Sequence, residues 1–181
     1  YDYFDFQERN YIKIFGRDSR GKRICVIDSC PVYFWAVLES GLSSKKTADL
    51  TEKISKIKLD IKGRKTKVEK VELHKKNFLG RRVDALKIFA TNYKDLHDIA
   101  DRLGMKEIEK RRGYDLGFVT HYIIERKIAP LQWYEISGEI LHNSPEFGGI
   151  DSELEVDFCI KLESAKRIDG KEPGFKPKIL T

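Results

Sequence analysis

The apolar and polar positions of the first forty residues have the patterns of β-strands. Residues 11–15 alternate, residues 17–21 (RDSRG) supply turn-forming side chains, and residues 22–28 and 32–38 are rich in β-branched and aromatic side chains. This pattern predicts a β-meander or paired hairpins at the start of the chain.

A helix is predicted after Gly41, where the apolar spacing changes to three or four residues. Ser43 or Ser44 is expected to cap its first turn, because a hydroxyl oxygen accepts a hydrogen bond from an unpaired backbone N–H. The predicted apolar stripe of this helix recurs at spacings of four, three and four residues and consists of Leu50, Ile54, Ile57 and Ile61.

Two more strands are predicted at residues 67–73 and 83–90. A basic turn that contains Gly80 separates them, so the pair is expected to form a β-hairpin. Asn92 is the candidate N-cap of a short helix that ends near Gly104. The apolar positions of that helix are Leu96, Ile99 and Leu103.

A third helix is predicted to begin at Asp115, because an N-cap residue there precedes an apolar face that includes Phe118 and Tyr122. Pro130 is expected to end this region of the chain, since proline cannot continue a regular helix.

Strand patterns dominate the remaining residues. Residues 133–140 and 154–162 are predicted strands, joined by an irregular segment at residues 143–149. Residues 173–177 are predicted to connect to a strand that starts at residues 178–181. Together the elements indicate an α+β fold, in which mainly antiparallel sheets pack against two to three helices.

The composition is that of a folded protein. Of 181 residues, 40% are hydrophobic, which is enough for a core, although 35% are charged. No apolar run approaches the roughly 20 residues that a membrane span requires, so we expect a cytoplasmic protein without a membrane partner. The three cysteines form no CxxC pair and are expected to be free and buried; they are Cys25, Cys30 and Cys159.

Positive charge is concentrated in the middle of the chain. Residues 45–82 contain fourteen Lys and Arg but only five Asp and Glu, whereas the whole chain has a net charge of +6. Such a segment is typical of a surface that contacts a polyanion, because Lys and Arg neutralise phosphates. A solvated helix face and hairpin would have the same composition, and both interpretations remain open.

No catalytic residue and no metal ligand is predicted. Catalysis on nucleic acids generally needs several carboxylates that converge on a metal ion. Glu155 and Asp157 come closest to that pattern, but their alternation along a strand is typical of a solvent-facing side. The phosphate-binding patterns GxxxxGK and GxGxxG are absent, so we expect no nucleotide cofactor.

Three segments, taken in order, resemble archaeal-type family B DNA polymerases. Residues 11–38, YIKIFGRDSRGKRICVIDSCPVYFWAVL, resemble the opening strands of that family. Residues 68–89, VEKVELHKKNFLGRRVDALKIF, resemble its basic hairpin. Residues 113–139, GYDLGFVTHYIIERKIAPLQWYEISGE, resemble a third family segment. Order and spacing are kept, and the resemblance covers roughly residues 1–140.

The resemblance implies a domain organisation. Residues 1–130 correspond to the N-terminal domain of the family, and residues 131–181 to connecting strands and the start of an RNase H-like exonuclease domain. In the family the strand at residues 178–180 continues into FDIE, whose acids hold the exonuclease metals. The chain would then be a non-catalytic piece of a nucleotidyltransferase, with Mg²⁺ in the parent polymerase. Its start at Tyr1, without a methionine, fits that expectation.

The family role implies several partners. They are the single-stranded template DNA, the remaining exonuclease and polymerase domains, and a sliding clamp that acts through the parent protein. The candidate nucleic-acid-binding residues are Lys65, Lys67, Lys75, Lys76, Arg81 and Arg82.

Many archaeal members of the family also capture template uracil in a pocket of this domain. Tyr3, Tyr33 and Phe118 correspond to aromatic residues of that pocket, where they would enclose a base. The two pocket arginines correspond to Ala100 and His121, so the charged frame of the pocket is missing. Considered without the resemblance, the three aromatic residues are expected to fill a core.

Two alternatives to a polymerase domain stay open. One is a stand-alone regulatory module that binds single-stranded DNA or RNA. The other is a structural wedge that braces the exonuclease domain while its basic residues are merely solvated.

Overall fold

The computed structural model describes residues 1–61, 63–141 and 156–170. Backbone contacts divide the chain into two compact units. The first comprises Tyr1–Cys30 and the described residues from Val119 onward, and the second comprises Pro31–Phe118. The predicted segments at residues 143–149 and 173–181 lie outside the described residues. Within the described part, no helix is long and apolar enough to cross a membrane.

The described elements are mostly strands. In chain order they are β1 (Asp2–Phe6), β2 (Arg9–Arg17), β3 (Arg23–Asp28), β4 (Val32–Leu38), α1 (Ser44–Ser55), β5 (Lys58–Ile61), β6 (Arg64–Phe78), β7 (Arg81–Ala90), a 3-10 turn (Tyr93–Asp95) that leads into α2 (Leu96–Asp101), β8 (Ile108–Arg112), α3 (Phe118–Arg126), β9 (Trp133–Leu141) and β10 (Phe158–Ile168). One described strand pair, β3 with β10, is parallel, and the others are antiparallel. The predicted mainly antiparallel α+β class is confirmed.

The first unit is built on a sheet with the described strand order β1-β2-β3-β10-β9. Cys159 of β10 lies opposite Cys25 of β3, and both thiols belong to a buried cluster with Ile27. Cys30 is also buried, and all three cysteines are free. The predicted burial of the cysteines is therefore confirmed.

The second unit is built on an antiparallel sheet with the described order β5-β6-β7-β4-β8. Helix α1 packs on β6, and α2 packs on β4. Phe34, Leu86 and Ile88 have no exposed surface and lie on one side of the sheet, whereas Tyr33, Trp35 and Phe89 on the other side are half-buried. The largest fully buried side chains of these strands therefore share one side of the sheet.

Side-chain caps start both helical segments of the second unit as predicted. Ser43, rather than Ser44, is the N-cap of α1, because its Oγ accepts a hydrogen bond from the Lys46 N–H at 3.3 Å. The Oδ1 of Asn92 accepts one from the Lys94 N–H at 3.0 Å. These caps could be predicted because each depends on residues three positions apart or fewer.

The predicted stripe along α1 is wrong in its second half. Leu50 and Ile54 are buried on the helix, but the helix ends before Ile57, and Ile61 belongs to β5. The carbonyl of Ile57 accepts a hydrogen bond from the Val68 N–H at 3.1 Å. Ile57 therefore hydrogen-bonds to β6 instead of extending the helix, although the helical spacing of apolar residues continues through it in the sequence.

Other boundaries also differ from the sequence patterns. Helix α3 begins at Phe118 instead of Asp115, and β10 continues to Ile168, beyond the predicted end at residue 162. Strands β1, β5 and β8 were not predicted. The sequence of β8, IEKRR, has a single apolar residue, because β8 pairs only with β4 and lies at an edge of the described sheet.

A buried carboxylate connects β3 to α3 within the first unit. Asp28 is 7% exposed. Its carboxylate accepts one hydrogen bond from the Tyr122 hydroxyl at 2.7 Å and two from the Arg126 guanidinium at 2.8 Å each. Charged donors of this kind compensate the desolvation of a buried carboxylate.

The free energy of unfolding is expected to fall as the pH rises above about 9. Burial, with the charges of Glu125 and Asp28, raises the pKa of the Cys30 thiol from 9.0 to about 12, and burial also raises the pKa of Tyr122 above 10.0. Both groups have a higher pKa in the folded state, so their contribution is complete below pH 9 and is lost as the pH approaches the folded values. Urea unfolding at pH 7 to 11 would measure this decline. Equal pH dependence in the wild type and a Cys30→Ala, Tyr122→Phe variant would contradict it.

Gly138→Ala is expected to destabilise the first unit by about 3 kcal/mol, because a Cβ at Gly138 would lie 2.1 Å from the backbone oxygen of Lys161 on β10. That loss corresponds to a fall of roughly 6 to 12 °C in the thermal midpoint measured by circular dichroism. Gly104→Ala is the control, since a Cβ there meets nothing within 4 Å. A Gly138→Ala midpoint equal to that of the control would refute this account of the β9–β10 contact.

Candidate nucleic-acid interface

Strands β6 and β7 form the predicted hairpin, and it is longer than the sequence pattern indicated. The two strands pair from Val68 opposite Ala90 to Phe78 opposite Arg81. A two-residue turn joins them, in which Leu79 and Gly80 have φ values of 48° and 78°. Two successive positive φ values are those of a type I′ turn, whose twist matches that of antiparallel strands.

Four of the predicted DNA-binding residues lie on opposite faces of this hairpin. Side chains alternate along a strand, and residues directly opposite each other share a face. Arg81 lies opposite Phe78, on the same face as Lys76. Lys75 and Arg82 are on the other face. The KKNFLGRR segment therefore does not present its cations as one cluster.

Lys65 and Lys67 lie far from that turn. They are exposed at the start of β6 and pair across to β5, where Lys67 lies opposite Lys58 and Lys65 opposite Asp60. Eight residues of extended strand separate Lys67 from Lys75, roughly 27 Å at the usual rise per residue. The six predicted cations are thus divided among three places in the second unit.

One face of the sheet combines aromatic rings with cations. Tyr33 lies opposite Phe89, Trp35 lies opposite Lys87, and Lys70 continues the row on β6. We call this surface the aromatic face, and its members are Tyr33, Trp35, Phe78, Phe89, Lys70, Lys76, Lys87 and Arg112. It is the side of the sheet opposite the buried Phe34, Leu86 and Ile88. Its rings are half-buried rather than enclosed in a core.

The cations of the aromatic face lie over its rings. The Nζ atom of Lys87 is 3.8 Å from the centre of the Tyr33 ring, and that of Lys76 is 4.4 Å from the nearest ring centre of Trp35. The guanidinium carbon of Arg112 is 5.5 Å from the centre of the Phe78 ring. Contacts of this kind are cation–π interactions, which hold the ammonium and guanidinium groups at the ring faces.

Acidic residues neutralise only part of this charge. Glu72 contacts Lys70 at 2.5 Å and His74 at 3.0 Å, and these hydrogen bonds lower the pKa of Glu72. Arg81 is paired with Glu109. Among the residues that the structure describes, no carboxylate lies within salt-bridge distance of the remaining three cations, which are Lys76, Lys87 and Arg112.

The predicted pocket residues belong to different units. Tyr33 and Phe118 are in the second unit, whereas Tyr3 and His121 are in the first. Tyr3 is 38% exposed on β1, while His121 is 5% and Phe118 1% exposed. The ring of Phe118 stacks on Tyr93 with centres 6.0 Å apart. The grouping of the four residues into a pocket stays a prediction.

Sequence reasoning missed most of the aromatic face. It selected Tyr33 from the family resemblance and Lys76 from the basic turn, but not Trp35, Lys87 or Phe89. A usable signal was present, because the YFW and KIF segments each place a half-buried residue on either side of a buried one. Among described residues no group of three or more His, Cys, Asp or Glu is close enough to hold a metal ion.

Comparison with known proteins identifies relatives of this chain. No family model matches it. It is 27% identical over 135 residues to a DNA polymerase of Thermococcus kodakarensis. The aligned region covers 72% of this chain and 8% of that protein. A DNA polymerase of a Desulfurococcus species is also 27% identical over 135 residues, covering 72% of this chain and 16% of that protein.

A solved structure shares the fold. The family B DNA polymerase from the hyperthermophilic archaeon Pyrobaculum calidifontis superimposes with a TM-score of 0.69 and 17% sequence identity, over 95% of this chain and 20% of that one. The resemblance found in the sequence is confirmed: the chain is homologous to archaeal DNA polymerases. It spans only a small part of their length.

Leu79→Asn is expected to stabilise the second unit by about 0.5 to 1 kcal/mol. Leu79 has a positive φ and is 81% exposed, whereas Asn tolerates this conformation and Asn-Gly is the preferred type I′ pair. Chemical denaturation would measure the change. Leu79→Val is the opposing control, because a β-branched residue is poorly suited to positive φ. If Val stabilised as much as Asn, the turn assignment would be wrong.

Proposed function

We propose that this chain is the non-catalytic N-terminal part of a family B DNA-directed DNA polymerase, in which it contacts single-stranded template DNA. The observation that carries the DNA contact is the set of three cations on the aromatic face that have no carboxylate partner among the described residues. Homology to archaeal DNA polymerases over 72% of the chain supports the parent protein.

The physical basis of this contact is charge. Lys76, Lys87 and Arg112 lie on one side of one sheet, so a backbone that crosses the sheet can meet all three. Each phosphate that they neutralise releases condensed counterions, and this release favours binding at low salt. Helix α1 lies beside Val71 and Leu73 of β6, on the side of the sheet opposite the aromatic face.

The rest of the proposed role concerns the parent protein. In it the chain would brace the 3′–5′ exonuclease domain and adjoin the polymerase domain, while Mg²⁺ and a sliding clamp would act elsewhere on the protein. A cytoplasmic location follows from a role in replication and repair.

A stand-alone single-stranded DNA- or RNA-binding module is the second candidate function. The succession β4-α1-β6-β7-α2-β8 favours it, because RNA-recognition modules also use a four-stranded sheet that carries helices on one side and aromatic residues on the other. The coding sequence after Thr181 would discriminate the two functions. Continuation into FDIE would favour the polymerase, and a stop codon would favour the module.

Replacing the three cations with glutamine is expected to weaken binding to a labelled single-stranded oligonucleotide and to flatten its salt dependence. If each cation contacts one phosphate, the slope of log K against log salt should fall by about 2, since each contact on a single strand contributes about 0.7. Fluorescence anisotropy at several KCl concentrations would measure it.

The matched control removes the same charge from the helix side of the second unit. Its substitutions are Lys45→Gln, Lys46→Gln and Lys53→Gln, at exposed positions on α1. The control should keep the wild-type slope. An equal loss in both variants, or no binding by the wild type at low salt, would rule out the aromatic face as the DNA contact.

A further inference from the structure

We infer that the aromatic face is a base-stacking platform, on which Tyr33, Trp35 and Phe89 each accept an unpaired base of single-stranded DNA. This inference rests on the proposed function and deepens it. It states that the face recognises bases that have left a duplex, in addition to phosphates.

The first support is the topology of the second unit. Neither β4 nor β7 is an edge strand in the described order β5-β6-β7-β4-β8, and the three rings lie on these two strands. Rings on central strands lie farthest from the edges of a sheet, so a strand of nucleic acid can cross them in succession. Sheets of this kind hold two or three bases on such rings.

The second support is the spacing of the rings. The Tyr33 and Phe89 rings are 5.6 Å apart between centres, and those of Tyr33 and Trp35 are 6.0 Å apart. The three rings therefore form a continuous row across two strands. Their planes are tilted against each other by 56° and 82°, so each ring presents a separate surface instead of stacking on its neighbour.

The third support is that the rings are less enclosed than the large side chains on the other side of the sheet. The buried side of the sheet already contains Phe34, Leu86 and Ile88, none of which has exposed surface. The rings on the other side remain half-buried beneath lysine side chains. Large aromatic residues in such a position add apolar surface that a ligand can cover.

Binding would exchange the partners of two lysines. In the free protein Lys87 lies over the ring of Tyr33 and Lys76 over that of Trp35, where a base would stack. The four-carbon stem of lysine is flexible, so each ammonium can move from the ring to an adjacent phosphate while the base takes its place. The same lysines would thus cover the rings in the free protein and neutralise phosphates of the bound strand.

The experiment compares three ligands of equal length: oligo-dT, an abasic strand with the same number of phosphates, and a duplex. Trp133→Phe serves as background, so that Trp35 is the only tryptophan of the 181 residues. Oligo-dT is expected to quench Trp35 emission and to bind at least tenfold more tightly than the abasic strand, because only oligo-dT can stack. The duplex should not quench it.

Single substitutions to leucine test the individual rings. Tyr33→Leu, Trp35→Leu and Phe89→Leu keep an apolar side chain but remove the ring, and each is expected to weaken oligo-dT binding about 5- to 100-fold while leaving abasic binding unchanged. Tyr114→Leu is the matched control, because Tyr114 is a half-buried ring of the same unit that contacts Phe34 on the buried side. It should bind oligo-dT as the wild type does.

The outcomes separate this inference from the proposed function. Equal affinity for oligo-dT and the abasic strand, or unchanged Trp35 emission at saturation, would overturn base stacking while the charge-based DNA contact survives. No binding to either strand would overturn both. If a leucine variant fails to fold, the comparison of ligands on the tryptophan background still decides the question.

Discussion

The position of β7 between β4 and β6 is the constraint on which the second unit depends. Phe89 pairs with Tyr33 on one side and with Lys70 on the other. A shift of one residue in this strand would turn Lys87 and Phe89 toward the helices and expose the residues between them. Burial of Leu86 and Ile88 therefore determines the register, and the register determines which rings and cations meet on the aromatic face.

The same register explains why the basic turn is not the centre of the site. Arg81 is paired with Glu109, and the ring of Phe78 lies against Arg112. Glu109 and Arg112 both belong to β8, so both residues next to the turn contact that strand. The positive charge of Arg81 is therefore neutralised within the protein, which leaves less charge for a ligand at this end of the hairpin. The three cations that have no carboxylate partner in the described part of the chain lie on the surface of the sheet instead, and the proposed DNA contact is therefore placed on that surface.

Local patterns predicted what depends on local contacts. The hairpin, the cap at Asn92 and strand β4 were all found, because turn residues, caps and alternation act within a few positions of the chain. The placement of Lys75 and Lys76 on opposite faces was not predicted, because the sequence pattern grouped both residues in one basic turn. The meeting of Trp35 with Lys76 did not, because it requires pairing between strands about forty residues apart. Strand β8 was missed for the same reason: long-range pairing, not its own sequence, makes it a strand.

The residues that the sequence resemblance assigns to a base pocket bear on what the proposed surface can recognise. Discrimination between bases requires buried polar partners. The sequence resemblance places Ala100 and His121, which are 0% and 5% exposed, where it expects two pocket arginines. Stacking requires only accessible rings, and electrostatic attraction requires only cations near them. The second unit keeps both on one face of its sheet, whatever residues occupy the pocket positions. Rings and cations on one face therefore fit the proposed contact with a single strand of any base sequence.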